Sequence, residues 1–166
     1  MSYLKDGIVE IRDLKLPSEA RFEKGTVVII ECVQEIPCNP CVEACPFHAI
    51  TMPDSINHIP VVDFEKCTGC GVCIAQCPGL AIFVVDRTFE EKRALVSLPY
   101  EFLPLPDKGE KVTLIDRAGQ PCGEGEVIRI RNAKNQDRTP VITLAVNQSL
   151  EMRVRFFKRK NNESQK

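Results

Sequence analysis

The most chemically informative part of the sequence is a run of four cysteines, Cys67, Cys70, Cys73 and Cys77, with Pro78 directly after the last. Its pattern, C-x2-C-x2-C-x3-C-P, places three thiols on one tight loop, and thiolates with this spacing bind iron–sulfur clusters. Zinc is the alternative, but zinc sites are typically built from two separated C-x2-C pairs that complete a tetrahedron. The run therefore predicts an iron–sulfur site.

An earlier cysteine run departs from this pattern. Cys38, Cys41 and Cys45 repeat the last three cysteines of the later run at an offset of 32 residues. Glu35 occupies the place of the first cysteine, and Cys32 lies three residues before it. A longer loop would bring Cys32 to the same corner. The alternatives are a [3Fe–4S] cluster, an iron ligated by Glu35, or Cys32 as a buried apolar residue. We favour Cys32 as a ligand, because [4Fe–4S] clusters normally take four thiolates.

Both cysteine runs end in Cys-Pro-x-x-Ala-Ile and are flanked by predicted strands, and on these features the chain resembles bacterial two-[4Fe–4S] ferredoxins over about residues 26–86. The resemblance implies two [4Fe–4S] clusters with crossed ligation, because the fourth cysteine of each run binds the other cluster. Cluster A would be bound by Cys32, Cys38, Cys41 and Cys77, and cluster B by Cys45, Cys67, Cys70 and Cys73.

A narrower resemblance covers the segment from Leu16 to Cys41, which contains L-P-S-E-A-R, K-G-T-V-V-I-I-E-C and P-C-N-P-C. It is similar to ferredoxin-type small subunits of multi-subunit, FAD-dependent dehydrogenases, which are thought to oxidise amino or imino acids such as proline and hydroxyproline. The resemblance implies a hetero-oligomer with an FAD-containing dehydrogenase subunit and a [2Fe–2S] subunit, in which this chain is not itself the enzyme. A free-standing ferredoxin and a structural, metal-stapled interaction module are the alternatives.

Hydrophobic patterning predicts the elements that must position the cysteines. β-branched runs at 26–30 and 82–85 predict two partner strands. One lies before the first cysteine run and the other after the second. Residues 50–52 and 59–62 predict a hairpin. One helical turn is expected within each cysteine run, at 42–45 and 74–77, because a proline follows each turn. Five more short strands are expected at 93–98, 111–116, 126–131, 141–146 and 152–157.

These elements predict an α+β protein with a distinct second half. An N-terminal extension over 1–25 leads into a dicluster ferredoxin-like domain at 26–90. A small all-β barrel or sandwich is expected at 91–160, and the tail at 161–166 is expected to be flexible.

The net charge of −1 conceals an uneven distribution along the chain. Residues 1–82 carry six Lys and Arg against eleven Asp and Glu, whereas residues 83–166 carry sixteen against twelve. Such asymmetry can orient association with partners. No stretch approaches the roughly 18 apolar residues of a membrane span, and the N-terminal residues lack a signal peptide's apolar run. A cytoplasmic location is therefore expected, where cysteines favour metal over disulfides.

Other chemistry has little support in the sequence, and no catalytic residues are predicted. Cys122 has no nearby cysteine or histidine and is expected to be a free thiol. His48 and His58 flank the predicted hairpin and are expected on its surface, although His48 is a candidate hydrogen-bond donor to a cluster. Basic and aromatic residues interleave at 153–160, but a pI near 6.2 favours an amphipathic strand over nucleic-acid binding.

Overall fold

The computed structural model describes residues 3–136 and 138–160, so the expected flexible tail at 161–166 lies outside the described residues. In this part of the chain, no helix is long and apolar enough to cross a membrane. The helices are short: α1 (Tyr3–Asp6), α2 (Glu19–Phe22), α3 (Pro40–Glu43) and α4 (Val72–Gln76), with 3-10 turns at Ile11–Asp13 and Gln148–Leu150. The strands are β1 (Val27–Ile30), β2 (Ile50–Thr51), β3 (Val61–Val62), β4 (Ile82–Glu90), β5 (Arg93–Pro99), β6 (Lys111–Asp116), β7 (Pro121–Arg131), β8 (Val141–Asn147) and β9 (Val154–Arg159).

Seven of these strands form one antiparallel sheet in the order β1-β4-β5-β8-β7-β6-β9, while β2 and β3 form a separate hairpin. The ladder between β1 and β4 pairs Val27 with Val85 and Ile30 with Ile82. On its other side β4 pairs with β5, so that Val85 also faces Val96. The two strands that frame the cysteine runs are therefore the edge of the same sheet that carries the C-terminal strands.

The predicted strand pair, the hairpin and both helical turns are confirmed, each with a shift of a few residues at its ends. Two strands are longer than predicted: β7 begins at Pro121, five residues before the expected strand at 126–131, and β4 ends at Glu90, five residues after the expected end at 85. The glycines of β7 allow close packing within the sheet. A Cβ atom on Gly125 would lie 2.7 Å from Leu114 Cδ2 and 3.2 Å from the Ala145 carbonyl oxygen. Gly125 therefore marks a close approach inside a strand. In the sequence alone, such a glycine looks the same as one that forms a turn.

Two hydrophobic cores lie along this sheet. The first packs the N-terminal segment and the cysteine runs against β1 and β4, and its fully buried members include Phe22 and Ile74. The second lies within the C-terminal strands, where Phe157 of β9 stacks on Tyr100 just after β5, with ring centroids 4.8 Å apart. The C-terminal part is thus rich in sheet, as expected, and that sheet curls to bring β9 beside the end of β5. The domain boundary between residues 90 and 91 stays a prediction. In the structure, β4 and β5 lie on either side of this boundary and pair with each other.

A buried ion cluster connects the end of β1 to the C-terminal strands. Glu31, which directly precedes Cys32, accepts hydrogen bonds from Nε and a terminal nitrogen of Arg117 at 2.8 and 2.5 Å. It also accepts one from Nε of Arg155 at 2.5 Å. The side chains of Glu31, Arg117 and Arg155 are only 8%, 12% and 6% exposed. Burial lowers the pKa of Arg155 to about 10, so the guanidinium is still charged at neutral pH and needs Glu31 as its counter-charge.

The N-terminal segment is attached to the sheet by a second set of charges. The guanidinium of Arg87 on β4 lies 3.7 Å from the ring centroid of Phe22. It pairs with Glu19 of α2 at 2.6 Å and with Glu151 at 3.0 Å. The residues of the expected N-terminal extension are therefore packed onto the sheet, which fixes the position of the neighbouring Arg21.

Replacing Glu31 with glutamine is expected to lower the free energy of unfolding by about 3–5 kcal/mol, because two buried guanidiniums lose the carboxylate that they share. Urea unfolding followed by circular dichroism measures this loss. Glu65→Gln is the matched control, since Glu65 pairs with Lys24 at 2.8 Å on the surface and its loss is expected to cost about 0–1 kcal/mol. Equal losses in the two variants would contradict the role of the ion cluster.

Candidate metal centre

The structure brings four of the predicted ligands, those assigned to cluster A, around one cavity. The remainder of its lining is mainly apolar and includes Ile30 and Ile82, the facing residues at the ends of β1 and β4. Four thiols that converge from two cysteine runs form a donor set of the kind that binds iron–sulfur clusters. The four cysteines that share the cavity are Cys32, Cys38, Cys41 and Cys77.

The strand pair explains why residues far apart in sequence meet at this cavity. The ladder between β1 and β4 ends at Ile30 and Ile82, and the Glu31 N–H donates to the Ala81 carbonyl at 2.8 Å. Cys32 therefore leaves β1 close to the chain that follows Cys77. Cys41 enters from α3, which begins with Pro40, a residue suited to the first turn of a helix.

Burial and crowding act together on the thiols of this cavity. Burial raises the pKa of Cys41 to about 11, with a further contribution from the neighbouring Cys77, Cys38 and Cys32. Burial also raises the pKa of Cys32, and Cys77 and Cys38 act in the same direction. Without a compensating positive charge these groups hold their protons at neutral pH. Metal binding must displace those protons, which links assembly of the site to pH.

The other four predicted ligands form an adjoining group around Cys73 in α4. Burial raises the pKa of Cys73 to about 12, and its charged neighbours in decreasing order are Cys67, Cys70, Cys45 and then Cys41. Cys67 and Cys73 are buried, whereas Cys70 is exposed. The backbone N–H of Ala49 donates to the Cys45 sulfur at 3.3 Å, a contact of the kind that stabilises a thiolate ligand. Cys41 and Cys73 are buried in the same hydrophobic core, so the two groups adjoin.

The loop that carries Cys67 and Cys70 fits closely against the start of β1. The Thr26 hydroxyl donates to the Thr68 carbonyl at 2.9 Å. Gly69 has φ +66°, and a Cβ atom there would lie 2.5 Å from Thr26 Cβ. Only glycine satisfies both this backbone conformation and this contact.

Two arginines that the sequence analysis did not single out also hold this loop. Arg21 donates to the carbonyls of Phe64 at 2.6 Å and Cys67 at 2.5 Å. Arg131 of β7 donates to the carbonyls of Cys70 at 3.0 Å and Gly71 at 2.7 Å. Neither arginine belongs to a recurring motif, although Arg21 ends the L-P-S-E-A-R segment of the narrower resemblance.

The alternative ligand Glu35 does not line the four-thiol cavity. It is exposed and lines a separate groove, together with Cys32 and Ile59. In residues 3–136 and 138–160, no group of three or more His, Cys, Asp or Glu side chains is arranged to hold a metal ion. Ligation by the eight cysteines consequently stays a prediction, while their grouping is a feature of the structure.

The remaining candidate residues lie at the surface or in the second core. His48 is exposed at φ 49°, and His58 is exposed with its Nδ1 against the Pro53 carbonyl. His58 nevertheless lines the four-thiol cavity, a position that the hairpin pattern did not reveal. Cys122 packs at the edge of the C-terminal core, where burial raises its pKa. This thiol is therefore remote from the other eight in environment as well as in sequence.

Comparison with known proteins agrees with this geometry. Residues 31–81 match the family model of the 4Fe-4S dicluster domain. An uncharacterized ferredoxin of Methanocaldococcus jannaschii is 40% identical over 75 residues, which cover 44% of this chain and 46% of the relative. The polyferredoxin-like subunit of the aliphatic sulfonate oxidoreductase of Pyrococcus furiosus is 46% identical over 48 residues, covering 29% of this chain and 27% of the relative. The chain thus spans less than half the length of either relative.

A ferredoxin of Streptomyces griseus aligns over more of its own length. It is 32% identical over 95 residues, which cover 55% of this chain and 88% of the relative. No solved structure matches the chain significantly. The match to the dicluster domain agrees with the two groups of thiols. Together with the extent of the alignment to the Streptomyces griseus ferredoxin, it shows that the chain belongs to the 4Fe-4S ferredoxin family.

Proposed function

We propose that this chain is the electron-transfer subunit of an oxidoreductase complex, with two [4Fe–4S] clusters bound by two crossed sets of cysteines. As a member of the 4Fe-4S ferredoxin family it is an iron–sulfur electron-transfer protein. When bound, each cluster supplies one-electron chemistry at a potential that its surroundings set. The observation that carries the proposal is the convergence of four thiols, from two separate cysteine runs, on one apolar cavity.

The electrostatic neighbours of the two most affected thiols support the crossed ligand sets. Cys41 interacts with Cys77, from the other run, more strongly than with Cys38 or Cys32. The first three neighbours of Cys73 likewise include Cys45 from the other run. We assign Cys32, Cys38, Cys41 and Cys77 to cluster A, and Cys45, Cys67, Cys70 and Cys73 to cluster B. Because Cys41 and Cys73 also interact, electrons would pass between adjoining sites.

The partners in this proposal follow from two kinds of similarity. The Pyrococcus furiosus relative is a subunit of an oxidoreductase, which supports a place for this chain in such a complex. The resemblance of the segment from Leu16 to Cys41 to subunits of amino or imino acid dehydrogenases favours an FAD-containing subunit as electron donor, with a [2Fe–2S] subunit beside it. The chain itself would relay electrons and would not bind the organic substrate.

Cluster content is the direct test of the proposal. Anaerobically purified protein is expected to contain about eight irons and eight sulfides per chain, since each of two [4Fe–4S] clusters holds four. After reduction, low-temperature EPR should show two interacting clusters. Two zinc ions per chain and no visible absorption would instead support the structural module. About four irons per chain would contradict the second cluster.

Replacing Cys32 with serine tests whether this cysteine is a ligand of cluster A. The variant is expected to lose up to half of its iron or to change the EPR signal of one cluster, because one thiolate of four is removed. Cys122→Ser and Glu35→Gln are the controls and should retain full iron and unchanged spectra. A Cys32→Ser protein with all its iron and wild-type spectra would refute the assignment. Loss of iron in Glu35→Gln alone would favour Glu35 as the ligand.

Isolation of a tagged chain from its own host tests the partner assignment. A flavoprotein is expected to co-purify, and proline or hydroxyproline is expected to reduce the clusters in the isolated complex, as followed by bleaching of their visible absorption. Reduction requires the donor subunit, so the tagged chain alone should not respond to either amino acid. A chain that purifies without a flavoprotein would be better described as a free-standing ferredoxin.

A further inference from the structure

The loop between Phe64 and Gly71 is held from two sides by guanidinium groups, one from the N-terminal segment and one from the C-terminal sheet. We propose that Arg21 and Arg131 position this loop and raise the reduction potential of cluster B. The inference rests on the proposed ligation of that cluster by the cysteines of this loop. It gives the C-terminal sheet a part in electron transfer, because Arg131 belongs to β7.

Arg21 is a buried cation with an unusual set of partners. It is only 6% exposed, and its guanidinium donates to the carbonyls of Phe64, Cys67, Thr26 and Gly25 at 2.6, 2.5, 2.9 and 3.4 Å. Within the described residues no carboxylate forms an ion pair with it. Buried charges are normally paired. Four thiolates outweigh the positive charge of an iron–sulfide core, so cluster B would supply the anion that Arg21 lacks.

Arg131 approaches the same loop from the other direction. Its two terminal nitrogens donate to the carbonyls of Cys70 and Gly71 at 3.0 and 2.7 Å. Asp86 lines the same cleft, but its carboxylate accepts hydrogen bonds from Thr88, at 2.8 and 2.7 Å. In the part of the chain that the structure describes, Arg131 also forms no ion pair. Its positive charge is therefore directed at the loop carbonyls and, among the described residues, is not paired with a carboxylate.

The sign of the effect follows from electrostatics. One-electron reduction makes a cluster more negative, so a fixed positive charge nearby stabilises the reduced state more than the oxidised state. The potential of the cluster is raised as a result. In a trans peptide the N–H points opposite to the carbonyl. The loop carbonyls point toward the two arginines, so the N–H groups of the same peptides point away from the arginines. N–H donors near a cluster also favour its reduced state.

The arginines near cluster A, by contrast, are paired with a carboxylate. Arg117 and Arg155 lie close to the chain at Cys32, but both hydrogen-bond to the carboxylate of Glu31, which directly precedes that cysteine. The arginines of the Phe64–Gly71 loop have only carbonyl partners at that loop. The structure thus provides an asymmetry between the two sites that would separate their potentials.

Arg131→Gln tests the inference on the holoprotein by redox titration followed by EPR. One midpoint potential is expected to become more negative by about 59 mV, the equivalent of a tenfold change in a one-electron equilibrium. Arg131→Lys keeps the charge and is expected to shift it less. Arg129→Gln is the matched control, because Arg129 is exposed in the same cleft and, among the described residues, donates no hydrogen bond to the loop. Cys38→Ser, which alters cluster A, identifies the signal that is not affected by Arg131.

The outcomes separate this inference from the proposed function. Wild-type protein without two redox-active clusters would mean that the proposed function has failed. With both clusters present, three results would overturn the inference alone: unchanged potentials in Arg131→Gln, a shift of the cluster A signal instead, or equal shifts in Arg131→Gln and Arg131→Lys. Arg21→Lys provides a second variant that preserves the buried charge, and its cluster B potential should stay closer to wild type than that of Arg131→Gln.

Discussion

The buried thiols of Cys41 and Cys73 lie among other thiols, and the electrostatic cost of that crowding governs the surroundings of the site. Burial and neighbouring thiols raise their pKa values to about 11 and about 12, so neither can persist as a bare thiolate at neutral pH. In the proposed function, an iron–sulfur core shared between the thiolates would offset that cost. The excess negative charge of such a cluster would be met by backbone N–H donors, such as that of Ala49, and by the guanidiniums that contact the Cys67–Gly71 loop.

This electrostatic arrangement is effective only if the loops are held in place, and the sheet does this. The ladder between β1 and β4 fixes where the chain leaves for Cys32 and where it returns after Cys77. Because β4 pairs with β5 on its other side, the C-terminal strands brace the same pair. The ion cluster of Glu31 then fastens the end of β1 to β9, immediately before Cys32, the first proposed ligand at the cavity. Support of this kind suits electron transfer, where a site that barely moves needs little reorganisation.

The sequence contained the cysteine spacings and the hydrophobic runs, and these were enough to predict the strand pair, the hairpin and both helical turns. They could not predict the supporting charges. No local sequence pattern marks Glu31, Arg21 or Arg131. The hydrogen bonds that give these residues their roles join positions that are 43 to 124 residues apart in sequence. The start of β7 was also missed, since glycines that permit close packing look the same in sequence as glycines that form a turn.

The opposite charges of the two halves of the chain acquire a different meaning in the folded protein. On sequence grounds an acidic first half and a basic second half can orient association with a partner. In the structure, part of that complementarity is used internally: Glu31 pairs with Arg117 and Arg155, and Glu19 pairs with Arg87. Arg131 extends the same trend, with the difference that it contacts carbonyls of the acidic half where the others contact carboxylates. The basic half therefore compensates part of the negative charge of the first half within the folded chain, before any partner binds.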